Sequence, residues 1–272
     1  YKQGWNELRK QRYSRQIKMG LIQKDWALSP APENVRKWES LNEKEKDWED
    51  FRMAAYAGMV DRMDQGIGKL VKALKEKNIF DNTILMFCSD NGACPFERTQ
   101  GAEKMPWDPE SYWTYDTGWA HAGNTPFRWY KQNQHEGGIS SPLIVHWPKG
   151  IKLGKGSISD RVGHLVDFMP TCLELADAKY TGEGKAKLMG KSFVSTLKRQ
   201  PDESHDFLYF HFGNNRAIRK GKWKVVSARG GPWELYDMDN DRTELNDLSK
   251  TLPALTKELA ALWYQFAKNS DN

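Results

Sequence analysis

Apolar residues in this chain gather into a few compact runs separated by long polar stretches, and the runs set the expected elements. Thr83-Ile84-Leu85-Met86-Phe87-Cys88 is an unbroken run closed by Ser89-Asp90-Asn91-Gly92, the pattern of a buried strand ending in a polar turn. A second such run covers 143–147 and follows Glu136-Gly137-Gly138. Over 47–77, Tyr56, Val60, Met63, Ile67, Leu70 and Leu74 recur at three- and four-residue steps, predicting one amphipathic helix that Asn78 ends. A helix leading into a buried strand is half of a β-α-β unit and predicts a parallel sheet. Residues 1–40 are charged and aromatic, with Pro30 and Pro32 as breakers, and read as a meandering connection with short helical pieces. A helix is expected near Asp167, with Pro170 in its first turn and Met169, Cys172, Leu173 and Ala176 along it. The polar stretch 182–191 reads as exposed. From Phe207 the pattern changes to short apolar runs punctuated by Gly221, Gly230 and Gly231, an antiparallel meander. Pro253 then opens an amphipathic helix carrying Leu255, Leu259, Leu262, Trp263 and Phe266.

Composition narrows the classes. With 272 residues, 39% of them hydrophobic, and 12 Trp, 10 Tyr and 11 Phe, the chain has ample material for a core. Its 41 basic residues are interleaved with 36 acidic ones, so a net charge of +5 leaves no basic footprint and nucleic-acid binding is not expected. No apolar run approaches the ~18 residues of a membrane span. The three cysteines show no metal-ligand spacing; Cys88 and Cys172 read as core residues and Cys94 as a loop residue.

Candidate chemistry sits at the strand ends. Ligands of open α/β sheets lie outside the carboxyl ends of the strands. Asp90 and Asn91 would present two hard oxygen donors there, suited to Ca²⁺, although the same residues make an ordinary tight turn. Lys131 stands before His135-Glu136-Gly137-Gly138. It is a compact charge suited to a tetrahedral oxyanion, and its bland alternative is a solvated surface lysine. The paired glycines allow positive φ or close backbone approach. Asp61 and Asp64 read better as a solvated helix surface than as a site. Residues 92–131 form a long, aromatic segment with Trp107, Tyr112, Trp113, Tyr115, Trp119 and Trp129. Its rings either rim a substrate pocket or anchor the segment to the core, and sequence weighs the two equally.

These stretches carry a resemblance. Ala57-Gly58-Met59-Val60-Asp61-Arg62-Met63-Asp64, then Asp81-Asn82-Thr83 with Ser89-Asp90-Asn91-Gly92, then Lys131 with His135-Glu136-Gly137-Gly138 and Pro142, stand in one order. Asn215-Arg216-Ala217-Ile218-Arg219, Gly221-Lys222-Trp223-Lys224 and Trp233-Glu234-Leu235-Tyr236-Asp237 continue it. The ordered set resembles the C-terminal half of a formylglycine-dependent sulfatase of the alkaline phosphatase-like superfamily, closest to bacterial arylsulfatases. The resemblance implies an α/β fold: an incomplete mixed sheet flanked by helices over residues 1–200, then a small C-terminal α+β subdomain with an antiparallel sheet over 201–272. It implies Ca²⁺ at Asp90 and Asn91 and sulfate contact by Lys131. His135, beside the Glu-Gly-Gly turn, is either a substrate-binding residue facing the pocket or a local hydrogen-bonding residue of the turn. The implied reaction is hydrolysis of a sulfate ester of an aryl group or sugar, in which a formylglycine hydrate attacks sulfur while Ca²⁺ and Lys131 hold the sulfate oxygens. The family's Cys/Ser-x-Pro-x-Arg precursor is not in the sequence: Cys94-Pro95-Phe96-Glu97-Arg98 has its proline one place early, and Ser140-Ser141-Pro142 lacks the arginine. The paired aspartates of the family's first half are also missing. The expectation is therefore a fragment, inactive alone, of a periplasmic or secreted enzyme. A phosphate or phosphonate ester hydrolase of the same superfamily, or a non-catalytic sulfated-glycan-binding module, are the alternatives.

Overall fold

The computed structural model describes residues 1–97, 103–182, 187–201 and 204–270. Arg98 and residues 183–186 of the polar stretch expected to be exposed lie outside them. The chain divides into two compact units: Tyr1–Leu70, Asn91–Ser141 and Tyr209–Asn272 form one, and Val71–Asp90 with Pro142–Leu208 the other.

The first unit opens with a helix, α1 (Gly4–Lys18), where sequence suggested a meander. Its inward face is narrow. Trp5 and Arg9, one turn apart, are its buried side chains. Trp5 meets Trp38 and Trp119 edge-on at 4.8 and 5.5 Å, the arrangement aromatic quadrupoles favour. These rings form a core cluster with Val35, Leu41, Met53, Ala120, Ala122 and Tyr130, separate from the one under the C-terminal sheet. Gly118 lies in α3 (Asp116–Gly123), and a Cβ there would sit 2.5 Å from the Trp5 ring.

A long helix, α2 (Glu43–Glu76), runs close to its expected bounds. Its apolar row is not a buried face, however. Val60, Met63, Ile67 and Leu70 are exposed, along with Met59. Asp61 and Asp64 are exposed too, as a solvated helix surface requires.

Four antiparallel strands follow in order: β3 (Leu208–Phe212), β4 (Asn215–Lys220), β5 (Trp223–Ser227) and β6 (Glu234–Asp237). Arg219 faces Lys224, which in turn faces Tyr236. Pro253–Ser270 is the closing helix, α7. It buries Leu259 and Trp263, with the Trp263 ring stacked 5.2 Å from Tyr209 and its indole N–H donating to the Phe210 carbonyl at 3.0 Å. Meander and closing helix agree with the sequence pattern.

In the second unit, β1 (Leu85–Phe87) and β2 (Ile144–His146) pair antiparallel, Met86 opposite Val145. The parallel pairing expected from helix-then-strand order is thereby corrected: these strands meet without a right-handed crossover between them. The helix expected near Asp167 is present as α5 (Phe168–Leu175), after a 3-10 turn at Leu165–Asp167. Asp167 is a buried hub that accepts from the His164 and Lys191 amides at 2.9 and 2.8 Å and pairs with His205. Cys172, expected in the core, is exposed, because α5 turns its Thr171 inward instead.

Candidate functional site

The loop after Asn91 is stitched into place by backbone. Gly92 N–H donates to the Gly138 carbonyl at 2.9 Å, and Lys131 N–H donates to the Ala93 carbonyl at 3.0 Å. Ala93 N–H is taken by the Asn124 amide oxygen at 3.0 Å, while the same side chain donates to the Trp129 carbonyl at 3.1 Å. Asn91, Lys131 and the Glu136-Gly137-Gly138 turn are thus brought to one corner of the first unit. Asp90 is the exposed residue immediately before Asn91, which is half-buried.

The glycines serve close approach, not unusual backbone. A Cβ on Gly92 would overlap the Gly137 carbonyl, one on Gly137 the Arg128 carbonyl, and one on Gly138 the Asn133 carbonyl. Left-handed backbone falls instead on the residues that flank the lysine, with φ of 60° at Trp129 and 77° at Gln132. Non-glycine residues in that region cost free energy and concentrate where geometry serves function. Lys131 itself is half-buried, and among the described residues no group hydrogen-bonds or pairs with its ammonium.

His135 is placed differently from the substrate-facing alternative. Its ring is 0% exposed, and Nε2 lies 3.0 Å from Glu234 Oε2. Burial works to raise the Glu234 carboxyl, but hydrogen bonds from His135 and Tyr236 and the charge of Arg128 hold it down at about 2. In this geometry His135 ties the turn to the C-terminal sheet.

Beneath the turn lies a buried ionic cluster. Lys224 Nζ sits 2.6 Å from Glu136 Oε1 and 2.7 Å from Glu244 Oε1. Glu244 also accepts the Glu136 amide at 2.7 Å. Arg242 pairs with the other Glu136 oxygen and donates to Ser140 Oγ at 2.9 Å. Arg128 reaches the Tyr236 hydroxyl and the Glu244 carbonyl, each at 2.8 Å. Sequence reading passed over these residues. One signal was available: Lys224 interrupts the apolar run Trp223-Lys224-Val225-Val226, and a lysine inside a strand pattern predicts either an edge or a buried partner.

For a divalent cation, the donor chemistry fits in part. Asp90 and Asn91 supply adjacent carboxylate and amide oxygens of the hard type Ca²⁺ prefers. Ca²⁺ takes about 6–8 oxygens, and among the described residues no group of three or more His, Cys, Asp or Glu gathers to complete such a shell. Trp119 is not a pocket residue: it is 1% exposed and its indole donates to Glu49 at 2.9 Å. Trp113 packs on Trp48 at 4.9 Å and donates to the Lys104 carbonyl. Trp107 and Tyr112 are the exposed rings of the segment.

Comparison with known proteins gives a consistent picture. Residues 24–178 match the Sulfatase family model, and residues 126–269 match the model described as N-sulphoglucosamine sulphohydrolase, C-terminal. An uncharacterized sulfatase of Schizosaccharomyces pombe is 32% identical over 97% of this chain and 52% of its own length. The arylsulfatase of Klebsiella aerogenes is 31% identical over 65% of this chain and 40% of its own. The crystal structure of Ps i-CgsB in complex with k-i-k-neocarrahexaose is similar with a TM-score of 0.61 and 28% identity, covering 84% of this chain and 44% of that one. The chain therefore spans about half the length, or less, of these relatives.

Proposed function

This chain belongs to the sulfatase family, and we propose that it works in the hydrolysis of sulfate esters, contributing Lys131 as the sulfate-binding cation and Asp90 and Asn91 as metal ligands. The observation that carries the reading is the Lys131 ammonium, half-buried and without a protein partner among the described residues, on the corner that also holds Asn91. A partly desolvated cation with nothing to neutralise it favours an anionic guest. Lys131 would donate to the sulfate oxygens and stabilise the charge that grows on them as the ester bond breaks. Ca²⁺, held in part by Asp90 and Asn91, would add Lewis-acid polarisation of the same oxygens. The attacking group is expected to be a formylglycine supplied from outside these 272 residues, since no Cys/Ser-x-Pro-x-Arg occurs within them.

The substrate class is an aryl or sugar sulfate. The likeness to an arylsulfatase supports the first, and the likeness to a protein crystallised with k-i-k-neocarrahexaose supports the second. Lys131→Ala in the full-length protein, assayed on 4-nitrophenyl sulfate and on a sulfated monosaccharide, tests the reading. A fall in kcat/KM on the order of a hundred- to a thousandfold is expected. Undiminished turnover would remove Lys131 from the reaction.

A further inference from the structure

We propose that Lys224, on strand β5 of the C-terminal sheet, is a positioning residue for the sulfate-binding corner. Through the buried Glu136 carboxylate it fixes the Gly137-Gly138 turn on which the backbone around Asn91 and Lys131 rests. The inference builds on the sulfate-ester reading above and adds residues remote from the reacting group.

The linkage is continuous. Lys224 is 0% exposed and Glu136 4%, and their charged atoms are 2.6 Å apart. Glu136 begins the one-turn helix α4 (Glu136–Ile139). Its own amide is held by Glu244, the second partner of Lys224. The Gly137 amide donates to the Arg128 carbonyl at 2.9 Å, and the Gly138 carbonyl receives Gly92 N–H. From there the chain runs directly into Asn91 on one side and through Ala93 to Lys131 on the other.

Energetics explain why a buried lysine would be tolerated here. An ammonium taken out of water is costly unless paired and hydrogen-bonded. Burial pushes the Lys224 pKa down, and the Glu244 carboxylate opposes it. Lys224 and Arg242 together neutralise Glu136 and Glu244. Removing one member leaves a charge stranded beneath the turn, relieved by protonation of a carboxylate or by movement of the turn. The three glycine close approaches leave little slack, so such a movement is passed to the Gly92 contact. A misplacement of about 1 Å at a reacting centre costs on the order of a hundredfold in rate.

The test uses the full-length protein with Lys224→Met, the milder Lys224→Arg, and Lys222→Met as control. Lys222 is the exposed neighbour that pairs with Asp237 at 2.8 Å. Two readouts are taken: amide hydrogen exchange, and kcat and KM on 4-nitrophenyl sulfate. In Lys224→Met, exchange at Gly92 and Lys131 should speed at least about tenfold relative to Val225 and Leu235, a selective local opening. Its kcat should fall on the order of a hundredfold with KM changed only a few-fold. Lys224→Arg should recover part of both, and Lys222→Met should match wild type. Exchange that is unchanged, or raised equally at all four amides, with kcat preserved, would overturn the proposal. If Lys224→Met does not fold, Lys224→Arg decides by the same two readouts. Wild-type protein silent on sulfate esters would sink the reaction assigned above instead, and the exchange pattern would still decide the positioning role.

Discussion

His121 is 2% exposed in the core-facing side of α3, and its carbonyl accepts from the buried Arg9 at 2.6 Å. Burial, then the Arg9 charge, hold its imidazole down at about 3. In the unfolded chain an imidazole takes up its proton near 6.5. Between those two values the unfolded state binds more protons than the native one, so stability falls as pH drops through that window. The slope is at most ~1.4 kcal/mol per pH unit. Urea midpoints at pH 7, 5 and 4 should fall less steeply in His121→Gln than in wild type, and parallel profiles would exclude the assignment. Trp119 yields a second expectation. Cut to Ala, it should cost about 3–5 kcal/mol while leaving KM for the proposed sulfate-ester substrates unchanged in the full-length protein. An altered KM with an unaltered melting curve would return it to the pocket. Asp90, Asn91 and Lys131 stand out as candidates in the sequence because their chemistry and order resemble a known family. Trp119 was not, since a ring in an aperiodic segment can face either way. The Lys224–Glu136 pair was hidden for another reason: its partners are far apart in sequence, and only the fold joins them.

The helix α1 shows what periodicity misses. It buries only Gly4, Trp5 and Arg9, and Leu8, Tyr13 and Ile17 are scattered among charged and amide residues, so no continuous apolar stripe announces it. Arg9 anchors it to the His121 carbonyl, and its closest packing contact with α3 is the Trp5 ring against Gly118. Gly118→Ala should push the ring out and cost about 1–3 kcal/mol, as overpacking does. Exchange should then quicken in α1 and α3 before it does in the C-terminal sheet. Exchange that quickens uniformly would show that α1 is anchored elsewhere. The C-terminal strands, by contrast, were legible because their short apolar runs are punctuated by Gly221, Gly230 and Gly231. For β1 and β2 the apolar runs fixed the strands' existence, but nothing local encodes their direction of pairing, and the antiparallel result had to come from the structure.

The exposed row on α2 bears on the whole chain. Met59 at 61%, Met63 at 47% and Leu70 at 52% exposure form an apolar ridge along α2, and contiguous ridges of this kind promote association. The 272-residue chain alone should therefore elute larger at higher concentration, and Met63→Glu with Leu70→Glu should suppress that shift. Concentration-independent elution by wild type would mean the ridge is harmless. Metal binding is limited by the same incompleteness of surroundings. Two adjacent oxygen donors, one of them exposed, cannot strip a Ca²⁺ ion of a shell of about 6–8 oxygens. No third acidic or histidine ligand gathers with them among the described residues. Calorimetric titration of this chain should therefore give a Ca²⁺ dissociation constant well above the micromolar range, unaltered by Asp90→Asn. The full-length protein should bind more tightly and lose that gain in the same variant. Micromolar binding by the 272 residues, abolished by Asp90→Asn, would mean that further donors close around Asp90 within this chain, and the ligand set assigned here would have to be enlarged from its own residues.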